Sequence, residues 1–428
     1  MPDQVAGTEV YTWALAKSLK AKGHEVTIVT PNYKSFELYE YKYDGLLVKR
    51  YAEQGNRDRS VIMGKRPPDG IEAFQKLIQE LNPDIVHIQE LAGSSGIGLY
   101  HARVLKQMAI RIIFTLHLAR YSCFSGTLMY KGKEPCSGLI DIERCTRCAL
   151  SKQRISNMCR QALYYTSMPL YNLNINTGRI NHSIGTAFSY PFIIEQLQSN
   201  LLEIFSLSEK IIVLTDWYKE VLLKNGIPEN KMCIIKQAIP YNIQTSKVRD
   251  LKTPEPVKLV FVGRIDPIKG LHLLIDAIVG LPQDKIVLDI FGATNDEDYL
   301  LNLHSKTKAS NNIVWKGLLT PTDVVPTIRQ FDALVLPSTV AEMSPLVIQE
   351  AFAAEVPVIG ANLAGIAEQV QHGYNGLLFD FNSTSSLRKV LSGIIEDKTV
   401  LDKLKGNIAS PPDFESVVEQ TLSVYNNK

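Results

Sequence analysis

A short apolar run, Asp332-Ala-Leu-Val-Leu-Pro337, is followed closely by Ser344-Pro345 and then by Leu346-Val-Ile-Gln-Glu350. The run has the length and composition of a buried strand. Ser344 is a good N-cap and Pro345 a good first helical residue, so a helix is expected from here to about Ala354. A buried strand that feeds a helix directly is the repeating unit of a parallel α/β sheet. Leu346 and Val347 then offer free backbone N–H groups at the positive end of the helix dipole, where a phosphate binds well. Glu350 falls in the second turn of that helix, and Glu342 stands in the loop ahead of it. Two carboxylates therefore bracket an anion site. One suits a ribose diol and the other a further set of hydroxyls.

Carboxylates beside a phosphate are costly unless cations offset them. A second buried run, Lys258-Leu-Val-Phe-Val262, ends in Gly263-Arg264 and, a little later, Lys269-Gly270. Gly263 permits a tight turn. Arg264 and Lys269 then follow the carboxyl end of a strand, where open α/β sheets hold their ligands. This set suits a nucleoside diphosphate that carries a sugar. The plain alternative is two solvated helix glutamates.

The same alternation runs through the whole chain. In the carboxyl half, strands are expected at 258–262, 286–291, 313–315, 333–336 and 357–360. Helices are expected at 270–279, 296–308, 322–330, 345–354 and 365–371. In the amino half, strands are expected at 24–31, 84–89, 111–117, 210–215 and 231–236, with a hairpin near Asp44–Arg50 and a helix at 70–81. The polar stretch from Tyr241 to Pro256 reads as an interdomain linker. With 428 residues, two or three domains are expected. A formal charge of +2 gives no support to nucleic-acid binding. No apolar run reaches the ~18 residues of a spanning helix, so the expected compartment is the cytoplasm.

The amino end is unusual. Gly7-Thr8-Glu9 is expected in a loop, with a helix over Val10–Ala21. A doubly wound domain starts with a strand before its first glycine loop. No such strand precedes Gly7, so an apolar run of about 6–8 residues upstream of Met1 is expected. Without it the 24–31 and 84–89 strands should lack a shared neighbour.

Cys123, Cys136, Cys145 and Cys148 have the spacing C-x12-C-x8-C-x2-C within an insert near 120–160. The final C-x2-C is a familiar half-site for zinc. The four offer a site for a structural zinc; unligated thiols or a redox pair are the alternatives. Cys159 is a substitute ligand, and Cys233 reads as buried core. His117 ends an apolar run on the ligand side of the sheet, where it is either functional or a satisfied structural histidine. His87 reads as structural. Asp296-Glu-Asp298 opens a helix, where acids suit the dipole.

Several of these motifs occur together in one family. Glu342 to Glu350 matches the E-x7-E motif of retaining glycosyltransferases of the GT-B fold. Gly263-Arg264 with Lys269-Gly270, Gly365-Ile-Ala-Glu368, Gly373-Tyr-Asn-Gly376, Gly7-Thr-Glu9 and Lys22-Gly-His-Glu-Val26 resemble segments of glycosyltransferase family 4. The resemblance covers nearly the whole chain. It implies two Rossmann-like doubly wound domains facing a cleft. The amino domain would span 1–245 and the nucleotide-sugar domain 256–410, with a helix at 411–428 returning to the first. It implies transfer from a UDP- or GDP-sugar to a glycan or lipid-linked glycan hydroxyl, in cell-surface polysaccharide or glycolipid synthesis, with retention and without a catalytic cofactor. Such an enzyme could work peripherally at a membrane. Glu342, His117, Arg264 and Lys269 would be catalytic. Glu350, Gly263, Ser344, Pro345, Leu346, Val347, Gly7 and Thr8 would bind substrate. Leu118 stands where the family has an aspartate. A GT-B epimerase or phosphorylase, or a non-catalytic sugar-nucleotide-binding subunit, would share most of these residues.

Overall fold

A computed structural model describes residues 7–33, 37–53, 59–91, 96–177, 183–241 and 256–426. The chain divides into two compact units. The first holds the chain up to Lys236 and again from Val418, and the second is Gln237–Val417. Most of the expected linker lies outside the described residues.

The first unit carries β1 (Thr27–Tyr33), β2 (Tyr39–Tyr43), β3 (Leu46–Glu53), β4 (Ile85–Ile88), β5 (Arg111–Leu116), β6 (Met129–Tyr130), β7 (Glu134–Pro135), β8 (Lys210–Val213) and β9 (Met232–Ile234). The expected hairpin joins β2 to β3 through Asp44-Gly45, both at positive φ, the conformation a tight two-residue turn needs. β4, β5, β8 and β9 form a parallel sheet in that order. β1, β3 and β2 form a separate sheet, with β1 parallel to β3 at its edge. Among the described residues, β1 and β4 are therefore both edge strands. Ile28, Val29, Ile85 and Val86 remain partly exposed, whereas Ile112, Ile113 and Phe114 of the interior strand β5 are buried. An edge strand has a neighbour on one side only, which leaves its flank uncovered.

The Gly7–Ala21 helix buries Tyr11, Leu15 and Leu19 at four-residue spacing, the stripe of an amphipathic helix. It begins at Gly7, so Gly7 and Thr8 lie in its first turn rather than in the loop expected for them. Thr12 closes on that turn by donating its hydroxyl to the Thr8 carbonyl at 2.7 Å. The end of the Phe414–Asn426 helix belongs to this unit. Tyr425 bonds His87 at 2.6 Å, and Lys22 pairs with Glu419 at 2.5 Å.

The second unit carries β10 (Val257–Val262), β11 (Ile286–Phe291), β12 (Ile313–Gly317), β13 (Ala333–Leu336), β14 (Val358–Ala361) and β15 (Gly376–Phe379). All six are parallel, in the order β12-β11-β10-β13-β14-β15. β15 is a strand beyond the five expected. Gly376 allows it, because a Cβ there would lie 2.3 Å from the Val358 carbonyl oxygen. The Thr384–Glu396 and Thr399–Gly406 helices also go beyond expectation. Leu259, Val260, Phe261, Leu334 and Val335 are at most 1% exposed, as strands covered on both faces must be. The chain order runs outward from β10 through β11 to β12, then returns to β13 on the other side of β10. The gap between β10 and β13 is therefore the topological switch point, where such sheets open a crevice at their carboxyl ends.

Candidate functional site

The loops after β10 and β13 meet at that switch point. Gly270 makes this approach feasible. Its φ is +71°, and a Cβ would lie 1.8 Å from the Pro337 carbonyl oxygen. The Thr339 N–H donates to the Ile268 carbonyl at 2.8 Å and fastens the two loops together. Asp266 caps the short turn Pro267–Lys269 through the Ile268 N–H at 3.0 Å. This places Lys269 Nζ 2.6 Å from Glu342 Oε1.

Ser338 donates to the same Glu342 oxygen at 2.6 Å. Burial alone would raise the Glu342 carboxyl. Lys269, Ser338 and Arg264 outweigh burial and hold it below its ordinary value. Arg264 itself is exposed. The loop bearing Glu342 is backed by Gly365, whose N–H donates to the Glu342 carbonyl at 3.1 Å. A Cβ on Gly365 would sit 1.9 Å from the Met343 carbonyl oxygen, so only glycine fits against that loop.

The helix after β13 spans Leu346–Ala353, with Pro345 at its N-cap and no side-chain cap. The expected cap at Ser344 and start at Pro345 are corrected by one residue. Pro345 has φ −67° and ψ 116°, which is extended backbone and outside the helical well. Leu346 and Val347 still lie in the first turn, whose N–H groups have no carbonyl four residues back to accept them. Glu350 lies one turn on, with Tyr241 donating its hydroxyl to it. Burial pushes the Glu350 carboxyl up to about 7, and the Tyr241 hydrogen bond offsets only part of that. The two carboxylates thus differ in kind. Glu342 is held below its ordinary value by cations, while among the described residues Glu350 has Tyr241 as its partner and titrates near neutrality.

Gly263 follows β10 with its N–H on the Phe291 carbonyl at 3.0 Å, and Gly292 packs against it. Asp296 caps the Glu297–Thr307 helix through the Tyr299 N–H at 3.0 Å, which is the structural role its position suggested.

In the first unit, His117 follows β5 and is 6% exposed. Its Nε2 lies 3.1 Å from Gln89 Oε1, and the Tyr11 ring packs edge-on at 5.0 Å. Burial lowers its pKa to about 3, so the ring is neutral at working pH. His87 is held by Tyr425 and by Thr115 at 2.8 Å, a structural histidine. Glu90 was not singled out from the sequence. It follows β4 and accepts from Tyr121 at 2.5 Å, and burial raises it to about 7. The signal was its position at the carboxyl end of an apolar strand, beside Gln89. Cys123, Cys136, Cys145 and Cys148 line one cavity of this unit. Cys159 is exposed, and Cys233 is partly exposed rather than the core residue expected.

The sequence matches two family models. Residues 242–410 match "Glycosyl transferases group 1", and residues 5–133 match "Glycosyltransferase Family 4". The chain belongs to glycosyltransferase family 4. Among the relatives of this family 4 chain, glycogen synthase of Mycobacterium tuberculosis is 28% identical over 179 residues, 40% of this chain and 42% of that protein. A glycosyltransferase of Methanocaldococcus jannaschii is 25% identical over 222 residues, 48% of this chain and 57% of that protein. The matched stretches thus span about half the length of these relatives. Among solved structures, HepE of Anabaena in complex with UDP and glucose superposes with a TM-score of 0.61 at 16% identity, covering 100% of this chain and 98% of that one. Sucrose-phosphate synthase of Thermosynechococcus elongatus gives 0.64 at 15% identity, covering 98% and 93%. These likenesses establish the two-domain GT-B fold of this family 4 chain.

Proposed function

We propose that this chain transfers a glycosyl group from a UDP- or GDP-sugar to a hydroxyl of a glycan or lipid-linked glycan, with retention at the anomeric carbon. The observation that carries this reading is the Lys269–Glu342 pair at the β10/β13 switch point, with Arg264 beside it. As the bond from C1 to the diphosphate oxygen breaks, negative charge moves onto the phosphates. Arg264, Lys269 and the first-turn N–H groups of the Leu346–Ala353 helix are the groups that would stabilise it. The acceptor oxygen bonds to C1 as the leaving oxygen departs. The acceptor's proton passes to the leaving phosphate. Side chains and helix N–H groups meet the developing charge, so the proposal calls on no catalytic metal. Glu342 would bind hydroxyls of the transferred sugar, and Glu350 those of the ribose.

We assign the acceptor to cell-surface polysaccharide or glycolipid synthesis, reached from the cytoplasm. No helix among the described residues is long and apolar enough to cross a membrane. HepE, a fold relative, is named in complex with UDP and glucose, which favours a UDP-sugar as the first donor to try. The test is calorimetry with UDP, GDP and their sugars, followed by anomeric NMR of the product. Saturable binding of one nucleotide and a product with the donor's configuration are expected. An inverted product would overturn retention, and no binding of either nucleotide would overturn the donor site.

A further inference from the structure

Four cysteines from three separate elements converge in the first unit. Cys123 closes the short turn Ala119–Ser122, and Cys136 follows the β6–β7 hairpin. Cys145 and Cys148 lie three residues apart on the Ile142–Ser151 helix, so they share a face. All four line one cavity of about 20 Å³, room for a body the size of one water. The backbone is arranged around them. The Cys136 N–H donates to the Leu128 carbonyl at 2.8 Å, which shuts the hairpin. The Lys131 N–H donates to Cys148 Sγ at 3.1 Å, the kind of outer contact that orients a ligating sulfur. Asp141 caps the helix through the Arg144 N–H at 2.6 Å, which fixes the turn that presents Cys145.

We propose that Cys123, Cys136, Cys145 and Cys148 form a tetrahedral four-thiolate site for a structural divalent zinc ion. Among the described residues, no three side chains stand in ligating geometry as they are. Rotation about one side-chain bond moves a cysteine sulfur between staggered positions, and all four cysteines line the same cavity. Binding forms four Zn–S bonds and releases four protons to solvent, leaving a net charge of −2 on the centre. Arg144 lines the cavity, and Lys152 acts electrostatically on Cys148. Both offset that charge. Burial, and then the neighbouring thiols, raise Cys145 to about 11. A bound cation reverses that mutual repulsion.

The clip would tie the turn after His117 to the hairpin and the helix. Tyr121 in that turn donates to Glu90 and accepts from the Leu91 N–H at 2.9 Å, so the clip would steady the carboxyl ends of β4 and β5 as well.

The test uses the full chain purified with reductant and without chelator. Elemental analysis should find about one zinc per chain, and cobalt exchanged for it should give thiolate charge-transfer bands with tetrahedral ligand-field bands. Cys159→Ser and Cys233→Ser should keep the metal, and the double variant Cys145→Ser with Cys148→Ser should lose it. Should the double variant not fold, the cobalt spectrum of the wild type decides. A folded chain that holds no zinc and takes up neither zinc nor cobalt would overturn the site. So would mass spectrometry showing these four cysteines paired as disulfides.

Discussion

Lys269 Nζ lies 2.6 Å from Glu342 Oε1, with the two side chains 20% and 14% exposed. A pair this enclosed does two things, and they separate by mutation. Lys269→Ala leaves a carboxylate largely buried without its cation, so stability should fall by about 1–3 kcal/mol. Arg264 is exposed, so Arg264→Ala should cost stability less than ~0.5 kcal/mol. Both should lower kcat/KM for the preferred donor by roughly 10–100-fold, the loss of one charge-assisted contact. Urea melts and initial rates on the same preparations check this. Equal destabilisation by the two variants would contradict the arrangement.

Glu350 should make the second unit less stable as pH rises. Its carboxyl titrates near 7 in the folded chain and near the ordinary glutamate value when unfolded. Between those values the folded state binds more protons, so stability falls as pH rises and levels off above about 7. Glu350→Gln removes this cost. It should melt higher than wild type at pH 8, by up to about 3 kcal/mol, with the difference shrinking toward pH 5. The same variant should bind nucleotide more weakly. Thermal melts across pH, paired with calorimetry, test both.

Gly365→Ala should disturb Glu342 without touching it. The added carbon meets the Met343 carbonyl oxygen and must push the Glu342 loop outward. A loss of about 1–3 kcal/mol is expected, together with weaker donor binding. Gly393 provides the control. A Cβ there meets nothing within 4 Å, so Gly393→Ala, within a helix, should be neutral or slightly stabilising.

The first unit should weaken in acid through His87 and His117. Burial lowers both to about 3, while the unfolded chain protonates near 6.5. Below that value the unfolded state binds more protons, so stability falls as pH drops toward 3. Replacing both by glutamine should flatten the acid limb. Their ring protons in NMR should not titrate between pH 5 and 8. A histidine limb near 6.5 in the rate profile that vanished in His117→Gln would contradict the neutral ring.

The second unit was readable because its strands are short apolar runs bounded by glycine and proline, and its site rests on backbone ends that follow them. Val262-Gly263 and Pro337 mark those ends in the sequence itself. β15 was missed because Gly376-Leu-Leu-Phe379 is too short to declare a period, and its pairing with Val358–Ala361 comes from far along the chain. Ser344 misled because cap preference is local, whereas the extended ψ of Pro345 is set by packing. The first unit was harder. Its edge strands β1 and β4 read like interior ones, since burial depends on neighbours that a single run does not reveal. Tyr241 and Glu90 carry no motif. Only tertiary placement shows that one bonds Glu350 and that the other takes the Tyr121 proton donor.

The partnership of His87 with Tyr425 joins residues 338 positions apart, and Lys22 with Glu419 spans 397. The first unit is therefore discontinuous in the chain. The residues of the second unit are synthesised between the two parts of the first. The contacts of His87 and Lys22 with Tyr425 and Glu419 form only once residues 418–426 have been made, so the part of the first unit that is made first is not completed first. A chain released at residue 417 would hold all of the second unit but would lack Glu419 and Tyr425 of the first.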